Sequence, residues 1–64
     1  MPQMTLKAAR VNAGYTQAQV AKILDVSVSS IKNWEAGKTY PNLSTFEKLC
    51  ELYGVSLDQI KVRK

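Results

Sequence analysis

Residues 16–37 read "TQAQVAKILDVSVSSIKNWEAG", and the break in the middle of this stretch decides the fold. Thr16 with Gln19 three residues on forms a capping box, in which each side chain satisfies a backbone N–H that a new helix leaves free. Tyr15 before the cap and Val20 at the fourth helical position can close a hydrophobic staple over it. Apolar residues at helical spacing then carry the helix to Leu24. A second start follows at once, with Ser27 as cap and Val26 and Ile31 as its staple. Between the two helices stand only Asp25 and Val26 before that cap. So short a link makes the helices cross steeply, and its turn residue must lie near the left-handed region. The chain's three glycines, Gly14, Gly37 and Gly54, each follow a helical stretch, where that conformation is common. At the break the residue is Asp25 instead. Asp and Asn are the non-glycine residues that tolerate the position best.

Two helices joined by such a turn make a helix-turn-helix unit. Outward from it, apolar residues keep helical spacing nearly throughout, and no stretch alternates as a strand would. The spacing predicts an all-α, compact five-helix domain, with helices at about 4–13, 16–24, 27–36, 42–53 and 56–61. The last start, "VSLDQI", offers a box of Ser56 with Gln59 and a staple of Val55 with Ile60. Asn42 is the expected cap of the fourth helix, with Ser44 and Glu47 as a rival box. A chain of 64 residues is a single domain, 1–64, and its end, 61–64, is a basic tail. So small a core supplies only about 3–5 kcal/mol, so local signals of this kind matter.

Nine Lys and Arg face five Asp and Glu, a net charge of +4, with an isoelectric point near 9.5. In a small domain this balance favours an acidic partner, nucleic acid first. One cysteine and no histidine rule out an internal disulfide and a zinc site of Cys and His ligands, and suit a reducing compartment. Cys50 sits at core spacing in "FEKLCELY", which favours packing over reactivity. There is no apolar run for a membrane span or a signal peptide, so a cytoplasmic location is expected. With no histidine, scattered carboxylates and no glycine-rich phosphate loop, an enzyme is not expected, nor are a cofactor, a metal or a small-molecule ligand.

Aligned from Gln17, the unit places Val20, Leu24, Val26, Ile31 and Trp34 at apolar positions and small Ala21 where two helices approach. "LKAAR", "TQAQVAKIL", "VSVSSIKNWEAGKTYP" and "LYGVSLDQI" follow at matching distances over nearly the whole chain. In these residues the chain resembles the helix-turn-helix of phage repressors, Cro proteins and the larger Xre-like regulator family. The resemblance implies a five-helix, lambda-repressor-like domain that binds DNA, with the third helix in the major groove and the second crossing the backbone. The chain departs from the family at Asp25, usually glycine there, and at Ala36, often a polar or basic residue able to reach phosphate.

The resemblance also assigns roles. Val28, Ser29, Lys32 and Asn33, on the outer face of the third helix, are expected at base edges. For Val28, contact with a thymine methyl is one reading and a tolerated surface valine the other. Backbone contacts are expected from the two capping residues Thr16 and Ser27, from Gln17 and Ser30, and from Lys38, Thr39, Tyr40 and Asn42 around the following loop. Arg10 falls on the inward face of the first helix. Glu35 lies near the end of the third, where the helix dipole disfavours a carboxylate. The matching family positions often pair as a partly buried ion bridge; two separate solvated charges are the alternative.

The expected function is a sequence-specific transcriptional regulator, repressor- or Cro-like and of phage or prophage type. Its expected partner is double-stranded DNA with a palindromic operator, bound by a weak homodimer. The dimer surface is expected on the back of helices four and five, from Leu43, Leu52, Leu57 or Val62. A different class of function, an antitoxin-type or adaptor protein-interaction module on the same domain, is the alternative.

Overall fold

The computed structural model describes residues 4–61. Along them run β1 (Met4–Thr5), α1 (Leu6–Ala13), α2 (Gln17–Leu24), α3 (Val28–Ala36), α4 (Leu43–Tyr53), a 3-10 turn (Leu57–Gln59) and β2 (Ile60–Lys61). Each α-helix begins on a side chain that accepts a hydrogen bond from one of the orphan N–H groups of its first turn. Thr5 Oγ1 accepts from Ala8 at 3.0 Å, Thr16 Oγ1 from Gln19 at 3.1 Å and Ser27 Oγ from Ser30 at 3.1 Å. The Gln19 side chain returns to the Thr16 N–H at 2.8 Å, closing the capping box. Asn42, not the Ser44–Glu47 box, starts α4, its Oδ1 accepting from Thr45 at 2.9 Å.

Asp25 carries the break between α2 and α3 at φ 58 and ψ 47, the one non-glycine residue with positive φ among those described. Its N–H donates to the Lys22 carbonyl and that of Val26 to the Ala21 carbonyl, the paired bonds of a Schellman stop. A left-handed residue with a Cβ is strained by roughly 1–2 kcal/mol, of which Asp recovers part through local polar contacts. Asp25→Gly is therefore expected to leave thermal stability unchanged or raise it. A clear drop in melting temperature would reveal a native contact of the carboxylate.

The core lies where α1, α2, α3 and α4 meet. Ile31, Leu49 and Val20 are its largest fully buried side chains, with Leu6, Ala9, Ala21, Cys50, Tyr53 and Ile60 around them. Ala21 is small at the junction of α2 with α3, which lets the two backbones close. Tyr15 and Tyr53 pack ring to ring at 6.4 Å. Burial, and after it the charge of Glu35, pushes the Tyr53 hydroxyl up to about 12, so it stays protonated. Burial likewise raises the Cys50 thiol, as suits a packing residue. Of α3, only Ile31 is fully buried.

The two ends of the domain depart from expectation. Met4 and Thr5 are not helical. They pair in parallel with Ile60 and Lys61, so the expected helix at 56–61 is one 3-10 turn followed by an extended segment. The domain is all-α in class, with four α-helices among the described residues in place of five. The physical reason is length. A helix this short gains few bonds for its costly first turn. The extended course instead buries Ile60 and gives the backbone a partner in β1. The Gln59 side chain does return to the Ser56 N–H at 2.8 Å, but the Ser56 hydroxyl donates to Asp58 at 2.7 Å. Val62 and residues 62–64 of the basic tail lie outside the described residues.

Candidate nucleic-acid interface

The tight turn at Asp25 swings α3 across α2 and leaves most of α3 outside the core. Ile31 points in and Trp34 is half-buried against the core. Val28, Ser29 and Lys32 are exposed, and Lys32 is the helical neighbour of Val28 and Ser29 at spacings of four and three. Val28 is 37% exposed, an apolar side chain at the head of this face. Asn33, expected on the same face, is half-buried. The face thus offers a methyl-bearing surface, a hydroxyl and an ammonium, all groups suited to base edges in the major groove.

Several residues expected at the DNA backbone also cap helices. The Thr16, Ser27 and Asn42 side-chain oxygens accept the cap bonds, which use an acceptor and leave the Thr16 hydroxyl hydrogen and the Asn42 amide nitrogen as donors. Ser30, half-buried, shares a hydroxyl–hydroxyl bond of 3.0 Å with Ser27 rather than reaching α2. The head of α2 also offers main chain. Gln19 is capped and Val20 donates to the Thr16 carbonyl, which leaves the Gln17 and Ala18 N–H groups at the positive end of the helix. Beyond Gly37, Lys38, Thr39 and Tyr40 are exposed in the loop before α4, Tyr40 by 49%.

Behind these surfaces lies a buried polar cluster. Arg10 Nε donates to Glu35 Oε2 at 2.7 Å and Nη2 to Oε1 at 3.3 Å, while Nη1 donates to the Tyr15 carbonyl at 2.8 Å. The two side chains are only 10% and 7% exposed. The hydrogen bond to Glu35 is the main cause that raises the Arg10 pKa, against the opposing cost of burial. Gln17 joins the cluster, its Nε2 donating to Glu35 Oε1 at 2.9 Å. Among the described residues every buried side-chain nitrogen and oxygen has a partner. The cluster ties α1, the head of α2 and the tail of α3 together, so it sets how the two helices of the unit sit against each other. The Gln17 and Tyr15 contacts were not foreseeable from spacing, because they depend on where the tail of α3 lands.

Charge divides along the chain. Between residues 4 and 40, Lys7, Arg10, Lys22, Lys32 and Lys38 stand against Asp25 and Glu35. Between 41 and 61, Lys48 and Lys61 stand against Glu47, Glu51 and Asp58. With Arg63 and Lys64 of the tail added, the second part is +1 against +3 for the first, so the part that contains the helix-turn-helix is the more positive one. Among the described residues no helix is long and apolar enough to cross a membrane, and no three side chains are grouped to hold a metal ion.

Known proteins share this pattern. The chain is 40% identical over 55 residues to the HTH-type transcriptional regulator ImmR of Bacillus subtilis strain 168, covering 86% of this chain and 43% of that one. It is 34% identical over 55 residues to the HTH-type transcriptional activator BcrR of Enterococcus faecalis, covering 86% and 27%. It is 38% identical over 53 residues to YonR, an SPbeta prophage-derived HTH-type transcriptional regulator of B. subtilis, covering 83% and 49%. The chain therefore spans less than half the length of each of these relatives. No solved structure matches it significantly. Residues 6–60, from the first residue of α1 to the buried Ile60, match the helix-turn-helix family model; the chain belongs to that family, the Xre-like regulators.

Proposed function

We propose that this protein is the DNA-binding module of a sequence-specific transcriptional regulator, repressor- or Cro-like, that seats α3 in the major groove. One observation carries the reading most. The Asp25 turn holds α3 across α2 with Val28, Ser29 and Lys32 exposed on the more positive part of the chain. Val28, Ser29, Lys32 and Asn33 meet base edges. The head of α2 with Gln17, and the loop residues Lys38, Thr39 and Tyr40, grip the flanking phosphates. Regulation follows from occupancy of an operator in the cytoplasm, and the role is that of a binding protein rather than an enzyme. Relatives named as transcriptional regulators support the reading.

Two copies bind a palindromic operator. Leu43, 66% exposed, and Leu57, 41% exposed, lie on the less basic part of the chain, and half-buried Leu52 is also in α4. A contact of this kind is small, so the dimer is weak off DNA.

Binding to duplex DNA tests the reading. Counterion release makes log affinity fall with log salt by about 0.9 per neutralised phosphate. Several backbone contacts per subunit therefore give a steep slope in fluorescence anisotropy titrations across a range of salt. An affinity that barely changes with salt would sink the reading.

A further inference from the structure

Two open grooves run beside α4. One is lined by Glu47, Lys48, Glu51, Val55 and Leu57, with Ser44 and Cys50. The other lies between the tail of α2 and α4, and is lined by Ile23, Leu24, Lys48, Glu51 and Leu52. Leu24 and Leu52 pack in part against the core. Ile23 does not, and is 54% exposed. The helix already closes on the core through Val20 and Ala21, so the fold itself gives Ile23 nothing to cover. This second groove is therefore an apolar strip of three side chains with one ammonium and one carboxylate beside it. Among the described residues neither Lys48 nor Glu51 has an ion-pair partner. None of the five residues is among those proposed to meet DNA.

Such a composition complements itself. Lys48 and Glu51 are three residues apart on α4, on one exposed face. A two-fold contact uses the same patch on both copies. Two α4 helices laid antiparallel about that axis set each Lys48 against the partner's Glu51, and Ile23 of each copy over the other's apolar strip. The groove at Leu57 lacks this balance. Two carboxylates, Glu47 and Glu51, stand there against one ammonium, so a copy facing itself brings like charges together.

We propose that the groove of Ile23, Leu24 and Leu52 is a self-association surface, filled by the same groove of a second copy, with two crossed Lys48–Glu51 ion pairs flanking the apolar contact. It is separate from Leu43 and Leu57, which remain for the contact between copies on an operator. The patch is small, so the association is weak.

Sedimentation equilibrium without DNA, from micromolar to millimolar protein, tests it. The unaltered protein should show a monomer–dimer equilibrium. Ile23→Ser should weaken it at least about tenfold, because every change in a two-fold contact acts twice, whereas Leu57→Ser should change it less than about twofold. Lys48→Glu and Glu51→Lys each turn both crossed pairs repulsive and should weaken it roughly three- to tenfold. Mixed in equal amounts, the two charge variants regain both attractive pairs, so the mixture should associate as the unaltered protein does. Both charges are exposed, and circular dichroism confirms that each variant is folded. A monomer at every concentration, an association that Ile23→Ser leaves intact, or a mixture no tighter than its components would each overturn the inference. With DNA absent throughout, none of these outcomes bears on the DNA-binding reading.

Discussion

Truncating Glu35 to alanine should destabilise the fold by roughly 3–5 kcal/mol, the usual cost of leaving one member of a buried ion pair alone. The geometry supports the upper part of that range. Arg10 makes two bonds to Glu35, and both side chains are close to fully buried. Without the carboxylate, a guanidinium that does not lose its proton at any ordinary pH is left with a single carbonyl, that of Tyr15. Gln17 loses its buried partner as well. Arg10→Ala should cost a similar amount, because a carboxylate is then left with one amide donor. A domain of 64 residues has little stability to lose, so either change could unfold it at room temperature. Replacing both residues by apolar side chains of similar volume should recover much of the loss, since the desolvation of two charges is then also removed. Urea denaturation followed by circular dichroism measures all three. Wild-type midpoints for both single alanine variants would mean that the pair contributes nothing to the fold.

The legible parts of this fold are those decided within a few residues. The Thr16–Gln19 box, the Ser27 cap and the left-handed Asp25 are local arrangements, and the sequence around them leaves few alternatives. Position 42 was harder, because Asn42 and Ser44 both offer an oxygen three residues before a donor. Of the segment from Ser56, the Ser56–Gln59 box was legible and the course after it was not. Val55 and Ile60 fit a helix staple, yet both are also placed to pack against the core along an extended chain. What tips the balance is the backbone of Met4 and Thr5, at the other end of the sequence. The polar cluster shows the same limit. The pairing of Arg10 with Glu35 came from the family resemblance, since face and dipole alone left two solvated charges open, and the Gln17 and Tyr15 bonds require knowing where the tail of α3 meets the head of α2. Of the proposed interface, Ser29 and Lys32 follow from helical period once Ile31 points inward, whereas Val28 stands only three residues from Ile31 and Asn33 is half-buried. The caps of Thr16, Ser27 and Asn42 use side-chain oxygens as acceptors, a role the sequence shows and one that leaves side-chain donors for a phosphate.

Ser29→Ala, Lys32→Ala and Val28→Ala should change which operators are preferred, each costing on the order of 1–3 kcal/mol at one base position and relaxing the choice there. Lys38→Ala should instead lower affinity for every sequence by a similar factor and reduce the salt slope by about one phosphate's share. The difference follows from what each group can touch. Base edges differ in donors, acceptors and the thymine methyl, and in the proposed docking the exposed Val28, Ser29 and Lys32 of α3 meet them. The loop after Gly37 follows the tail of α3, and in the proposed docking it meets the sugar–phosphate wall. Val28 gives the sharpest contrast, because its side chain can sense only a methyl or its absence. Replacing thymine by uracil at the base it faces should weaken binding of the unaltered protein but leave Val28→Ala nearly indifferent. The measurement is the affinity of each variant for a panel of single-base changes in an operator selected from random DNA. If Lys38→Ala re-ranks the panel while the three α3 variants leave the order intact, then another surface of the domain enters the groove.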